Sequence, residues 1–163
     1  MSRSWIRDDR GSVMVLTLVV APLLLVALAG VLQLGALRVA AARIRAAADL
    51  ATLVAVNDQD DAELARSGAL RLSSDAVDVA REYFARELEL SSPLLDRPAD
   101  EIAMAADVAA YPSAPAYDTR TGARYDRPTV RIVAEVPVRT PVFGALALRP
   151  VTMLHVSAMS SPR

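Results

Sequence analysis

The chain has 163 residues, is 53% hydrophobic but only 4% aromatic, and carries a formal net charge of −1. A balance that close to neutral excludes a nucleic-acid binder working by bulk electrostatics, and the composition requires an aliphatic, alanine-rich core. There is no cysteine, which excludes disulfide staples, thiolate metal ligands and a thiol nucleophile.

The chain opens with a basic head, residues 1–11, bearing Arg3, Arg7 and Arg10 and ending at Gly11. From Ser12 to Leu37 no side chain is charged, a run of 26 residues. As a helix it would reach about 39 Å, against about 30 Å for the hydrocarbon core of a bilayer. A transmembrane helix is therefore predicted over 12–37. Three fates fit this N-terminus: a retained anchor, a secretory signal cut after Ala27-Leu28-Ala29, or a pilin-type leader cut between Gly11 and Ser12. Signal peptides usually carry about 7–15 apolar residues, whereas here apolar character continues through Val31, Leu32, Leu34 and Leu37. Length favours the retained helix. Pro22 removes one helical hydrogen bond, a kink that membrane helices tolerate. Gly30 and Gly35 are spaced by five, so they do not form the G-x-x-x-G dimer motif. Arg3, Arg7 and Arg10 before the run balance Arg38, Arg43 and Arg45 after it, and the positive-inside rule does not orient it.

Helix formers continue past Leu37, and an amphipathic extension is predicted over 38–56. Arg38, Arg45, Asp49 and Thr52 fall on one side; Val39, Ile44, Ala46, Ala47, Leu50, Leu53 and Val54 fall on the other, with Arg43 among them. Val39, Ala46, Leu50 and Leu53 are the candidate helix-packing face, meeting first the chain's own domain and otherwise a neighbouring copy or related subunit. The acidic stretch at Asn57–Asp61 does not make an EF-hand, because Glu63 and Ala69 stand where that loop needs glycine and glutamate. Asp60 with Glu63 fits an N-cap for a short helix, Asp61 to Leu72. Ser73 and Ser74 can cap another helix, with its apolar stripe at Ala76, Val79, Ala80, Tyr83, Phe84 and Leu88 and its end at Ser92-Pro93.

From Glu101 the period changes to two. Ile102, Met104, Ala106, Val108 and Ala110 predict one strand; Val130, Ile132, Ala134, Val136 and Val138 a second; Leu154, Val156 and Ala158 a third. Tyr111 to Arg127 reads as a loop turning near Thr121-Gly122, Pro128 and Pro137 as strand-end or edge residues, and Val142 to Leu148 as a short helical crossing. The predicted fold is α+β: a long N-terminal helix leading into a domain, 57–163, with a three-stranded antiparallel sheet on one or two helices.

Little here points to catalysis. His155 is the one histidine and falls on the open face of the last strand. No Gly-x-Ser-x-Gly elbow occurs, and Gly122 and Gly144 stand alone rather than in a phosphate-cradling loop. The chain is read as non-enzymatic, with no cofactor and no metal site.

The layout resembles the TadE/TadG-like proteins of tight-adherence (Flp) pilus systems. The matching residues are Asp9-Arg10-Gly11-Ser12-Val13 at the start and Arg45-Ala46-Ala47-Ala48-Asp49-Leu50-Ala51 after the apolar run. At the end they are Val136-Pro137-Val138, Phe143-Gly144, Val151-Thr152 and Val156-Ser157-Ala158. The resemblance implies a pilin-like accessory held in the bacterial cytoplasmic membrane, N-terminus inside and C-terminal domain extracytoplasmic. Its implied partners are the lipid bilayer and other pilus-assembly or pseudopilin subunits, reached through the helix; nucleic acid is not among them. One position departs from the group. Processed pilins and TadE-like pseudopilins carry a glutamate five residues after the cut, where this chain has Leu16. The TadG-like side is therefore the closer match. The competing readings are an anchored binding or adaptor module, with a groove in the sheet or the Tyr111–Arg127 loop, and an exported enzyme.

Overall fold

A computed structural model describes residues 9–145, 148 and 150–162, with side chains from residue 14 onward. Residues 1–8 of the basic head lie outside the described residues. The fold is α+β, built on one helix of 49 residues, α1 (Asp9–Asn57). Three shorter helices follow: α2 (Asp61–Ser67), α3 (Ala76–Glu89) and, after a 3₁₀ turn at Ser92–Leu94, α4 (Ala99–Ala105). Strands β1 (Asp107–Tyr111), β2 (Ala116–Tyr117), β3 (Arg124–Tyr125) and β4 (Thr129–Arg139) come next, then α5 (Pro141–Ala145) and β5 (Val151–Ser160).

The helix ends follow local chemistry. Gln59 turns back to donate from Nε2 to the Val56 carbonyl at 2.8 Å, occupying one of the acceptors that α1 leaves open. The Asp60 carboxylate accepts from the backbone N–H of Ala62 and Glu63, as expected of an N-cap. α2 stops at Ser67 rather than running to Leu72. Gly68 adopts φ +69° there and closes the last turn on the Leu64 carbonyl, a left-handed cap that residues with a Cβ rarely take.

The strand expected from Ile102 begins later. Residues 99–105 form α4, whose buried positions Ala99, Ile102 and Ala103 follow the helical i, i+3, i+4 spacing. Asp100 and Glu101 sit in its first turn, where the helix dipole favours them.

The sheet has the antiparallel order β1-β4-β5. Val108 lies opposite Ile132, and Ile132 in turn opposite Ala158. The predicted inward residues of β4, Val130, Ile132, Ala134, Val136 and Val138, are all buried, but Thr129, Arg131 and Pro137 of the other face are buried as well, so one open face is not what β4 presents. Pro137 lies in the part of β4 beyond the pairing with β1. Its carbonyl accepts from Asp96 N–H, on the side away from β5, so its missing N–H breaks no bond to β5.

The core lies between that face of the sheet and two helices, α3 and the outer part of α1. Phe84 and Leu88 of α3 are fully buried there. From α1 the core takes Ala40, Ile44, Ala47, Ala48, Ala51, Ala55 and Val56. This corrects the expected packing face. Val39, Ala46, Leu50 and Leu53 are exposed and do not meet the chain's own core. The buried side lies roughly 150° around the helix from them. Alanine explains the choice, since small side chains let the helix backbone approach the sheet closely, and the longer leucines would hold it off.

Candidate membrane span and assembly face

α1 is long and apolar enough over its N-terminal part to cross a membrane. From Met14 to Leu32, 19 consecutive residues, no side chain is buried. At 1.5 Å per residue that stretch measures about 28 Å, close to the thickness of a bilayer's hydrocarbon core. It is apolar all round, with exposed leucines and valines on every side, Leu18, Leu24, Leu25 and Val31 among them. Pro22 lies inside the helix without ending it. A Cβ added at Gly30 or Gly35 would meet nothing within 4 Å. Gly11 and Ser12, the predicted processing positions, lie in the first turns of α1.

Packing begins at Gln33, four residues before the predicted end of the span at Leu37. Gln33 is 2% exposed. Its Oε1 accepts from the backbone N–H of Val142, at the start of α5, at 3.1 Å. Leu37 and Ala40, one and two turns on, join the core. A small apolar cleft of about 260 Å³ lies at this junction, between Gln33, Leu37 and Ala40 of α1 and Leu94, Val138 and Val142 of the head. Higher up, Thr52 and Ser160 share a hydroxyl hydrogen bond of 2.9 Å. The β4–β5 hairpin therefore runs alongside α1, tied near its tip at Gln33 and near its base at Thr52. Gln33 was not singled out in the sequence, yet it carried a signal: it is the one amide side chain in the uncharged run.

The stripe Val39, Leu50 and Leu53 is 52%, 41% and 49% exposed. With exposed Ala46 these residues recur at spacings of seven, four and three, which keeps them on one helix face. Ala46 and Leu50 also border a groove of about 340 Å³ against Glu87, Leu90 and Ser91, where α3 ends. An apolar stripe bordered by Arg43 and Glu87 is a surface suited to another helix.

The Tyr111–Arg127 segment folds back as the β2–β3 hairpin, with Gly122 at φ +73° in its turn. Its charges are engaged internally. Asp118, 3% exposed, accepts from Thr121 Oγ1 at 2.6 Å and from Arg120 N–H at 2.9 Å. Arg131 lies 3.6 Å from Asp118 and 3.0 Å from Asp107. The Thr121 hydroxyl, helped by the Arg120 amide, Tyr111 and Arg131, holds the Asp118 carboxyl down at about 2. Burial, with Asp118 nearby, pushes the Tyr111 phenol up. This cluster fastens the hairpin to the sheet edge. A polar groove of about 700 Å³ opens beside α2, between Gln59, Glu63, Arg66, Arg71 and Ser73. His155 stands exposed on the open face of β5, 3.3 Å from Glu135.

The geometry thus sets out three features on one helix: a bare apolar rod, a junction at Gln33, and an uncovered stripe beside the head. No protein-family model, curated protein or solved structure matches this chain.

Proposed function

We propose that this protein is a membrane-anchored structural component, a pilin-like accessory of a tight-adherence (Flp) pilus or a related secretion apparatus. In this reading the Met14–Leu32 stretch crosses the bacterial cytoplasmic membrane, with the basic head inside and the α+β domain outside. The observation that carries the reading is the division of labour along α1. One uninterrupted helix is a bare apolar rod over 19 residues and the spine of a folded head thereafter. Apolar surface exposed to water is strongly unfavourable, and a bilayer would cover a rod that bare.

The stripe at Val39, Ala46, Leu50 and Leu53 supports the structural role. It continues the rod's apolar surface beyond the bilayer, beside the head, where a helix of a neighbouring pilus-assembly subunit can lie against it. The protein then acts by holding its head at the outer face and by helix pairing, without chemistry of its own.

Deletion in the native host, scored by piliation and surface adhesion, tests the reading. Loss of both, restored by the wild-type chain but not by Leu50→Arg/Leu53→Arg, is the expected result. Normal piliation and adhesion in the deletion strain would overturn it.

A further inference from the structure

We propose that the tip of the β4–β5 hairpin is a second membrane contact, seated in the acyl–headgroup boundary beside the point where α1 leaves the bilayer. The inference rests on the membrane-anchored reading above and specifies how the head meets the lipid.

Three observations converge on the tip. The first is its height. Val142, in α5, donates its backbone N–H to Gln33, and Gln33 immediately follows the bare stretch of about 28 Å. If that stretch fills the hydrocarbon core of about 30 Å, the hairpin tip stands at its outer edge. The second is chemistry. Between the two strands Arg149 is the one charged residue in the sequence, and Thr140 to Leu148 carry none; Pro141 and Leu148 are exposed, Leu148 at 57%. Val142 and Phe143 are only partly covered by the protein. Among the described residues of the tip, Thr140 N–H bonds to the Pro150 carbonyl, Gly144 N–H to that of Thr140 and Leu148 N–H to that of Phe143. Each amide bonded in this way lowers the cost of entering an apolar boundary, which penalises open ones. The third is the flank. Arg139, 57% exposed along its side chain, stands beside Asp96 at 3.5 Å just above the tip, and Arg38 is exposed on α1 one residue past Leu37. Arginines at that level suit lipid phosphates while their stems cover apolar surface.

The occupant is the bilayer itself, because the tip meets α1 at Gln33, where the bare apolar rod ends. Gln33 gains a role in this arrangement. An amide at the edge of the hydrocarbon core would be costly if unpaired, and the hairpin supplies its partner.

The absence of native cysteine permits a direct test on the full chain reconstituted in nanodiscs of phosphatidylethanolamine and phosphatidylglycerol. Single-cysteine variants Leu25→Cys, Leu148→Cys, Met153→Cys and Ser157→Cys would carry a nitroxide, each at a side chain the protein leaves exposed. Power-saturation EPR would then compare collision with oxygen, which enriches in lipid, and with a water-soluble nickel chelate. The expected order of lipid immersion is Leu25, then Leu148, with Met153 lower and Ser157 aqueous, since β5 climbs away from the tip by about 3.3 Å per residue. A Leu148 label as aqueous as Ser157, with Leu25 still in lipid, would overturn the hairpin contact and leave the anchor intact. An aqueous Leu25 label would overturn both.

Discussion

The inner and outer parts of α1 draw on the same apolar alphabet and use it differently. The inner part leaves Leu16, Leu18, Leu23, Leu24, Leu25 and Leu28 uncovered. The outer part buries Ala40, Ala47, Ala48, Ala51 and Ala55 and turns Leu50 and Leu53 outward. Contact with a sheet rewards close approach, which alanine permits, whereas contact with fluid chains rewards area, which leucine supplies. Hydrophobicity alone does not state which side of a helix a domain will use; side-chain size does.

Substitutions can break this contrast from either end. The largest effect is expected from Phe84→Ala, which empties the centre of the packing that α3 makes with the head. A loss of about 3–5 kcal/mol is expected, read as faster amide exchange throughout the head, with membrane recovery unchanged. Leu25→Arg attacks the other end. A charge at the centre of a span costs about 2.5–3.5 kcal/mol in insertion, so fractionation should move the chain out of the membrane pellet while head exchange stays native. Ala51→Leu sharpens the size argument. Ala51 is fully buried, and overpacking there should cost about 1–3 kcal/mol of head stability, although leucine is the more apolar residue. Leu53→Ser, on the exposed stripe, should change stability by no more than about 0.5 kcal/mol and instead weaken assembly in a piliation assay.

The smallest effect concerns acid. The Asp118 carboxyl titrates at about 2 in the folded chain against an ordinary 3.8. A depressed folded value means that the carboxylate's stabilising contribution is complete above the ordinary value and fades as pH falls through the folded one. Head stability measured from pH ~5 to ~2 should therefore fall at the acid end, and Asp118→Asn should flatten the part of that fall due to this group.

Much of this architecture was legible in the residues. α1 could be followed to its end because strong helix formers run from Arg38 onward until Asn57 and the acidic stretch stop them. β4 and β5 were visible because apolar and more polar residues alternate along each in the sequence; β5 alternates in burial too, whereas β4 is buried on both faces over much of its length. α4 was obscured because Ile102, Met104 and Ala106 satisfy a period of two, while Ala99, Ile102, Ala103 and Ala106 satisfy the helical period equally well. Only packing decides such a segment, and the second set is the buried one. The side of α1 that meets the chain's own core was missed for a related reason: the helix carries two apolar stripes, and weighting by hydrophobicity selects the one with the larger side chains. The partnership of Gln33 with Val142 joins residues 109 positions apart, and nothing local to either announces it.

The tie at Gln33 and the tie at Thr52 leave no hinge between rod and head. A helix whose apolar length exceeds the local bilayer tilts to fit; on the membrane-anchored proposal the head would lean through the same angle. In a membrane of different thickness, the open sheet face around Met153 and His155 would point elsewhere, making the orientation of the domain a mechanical readout of the lipid around its stem.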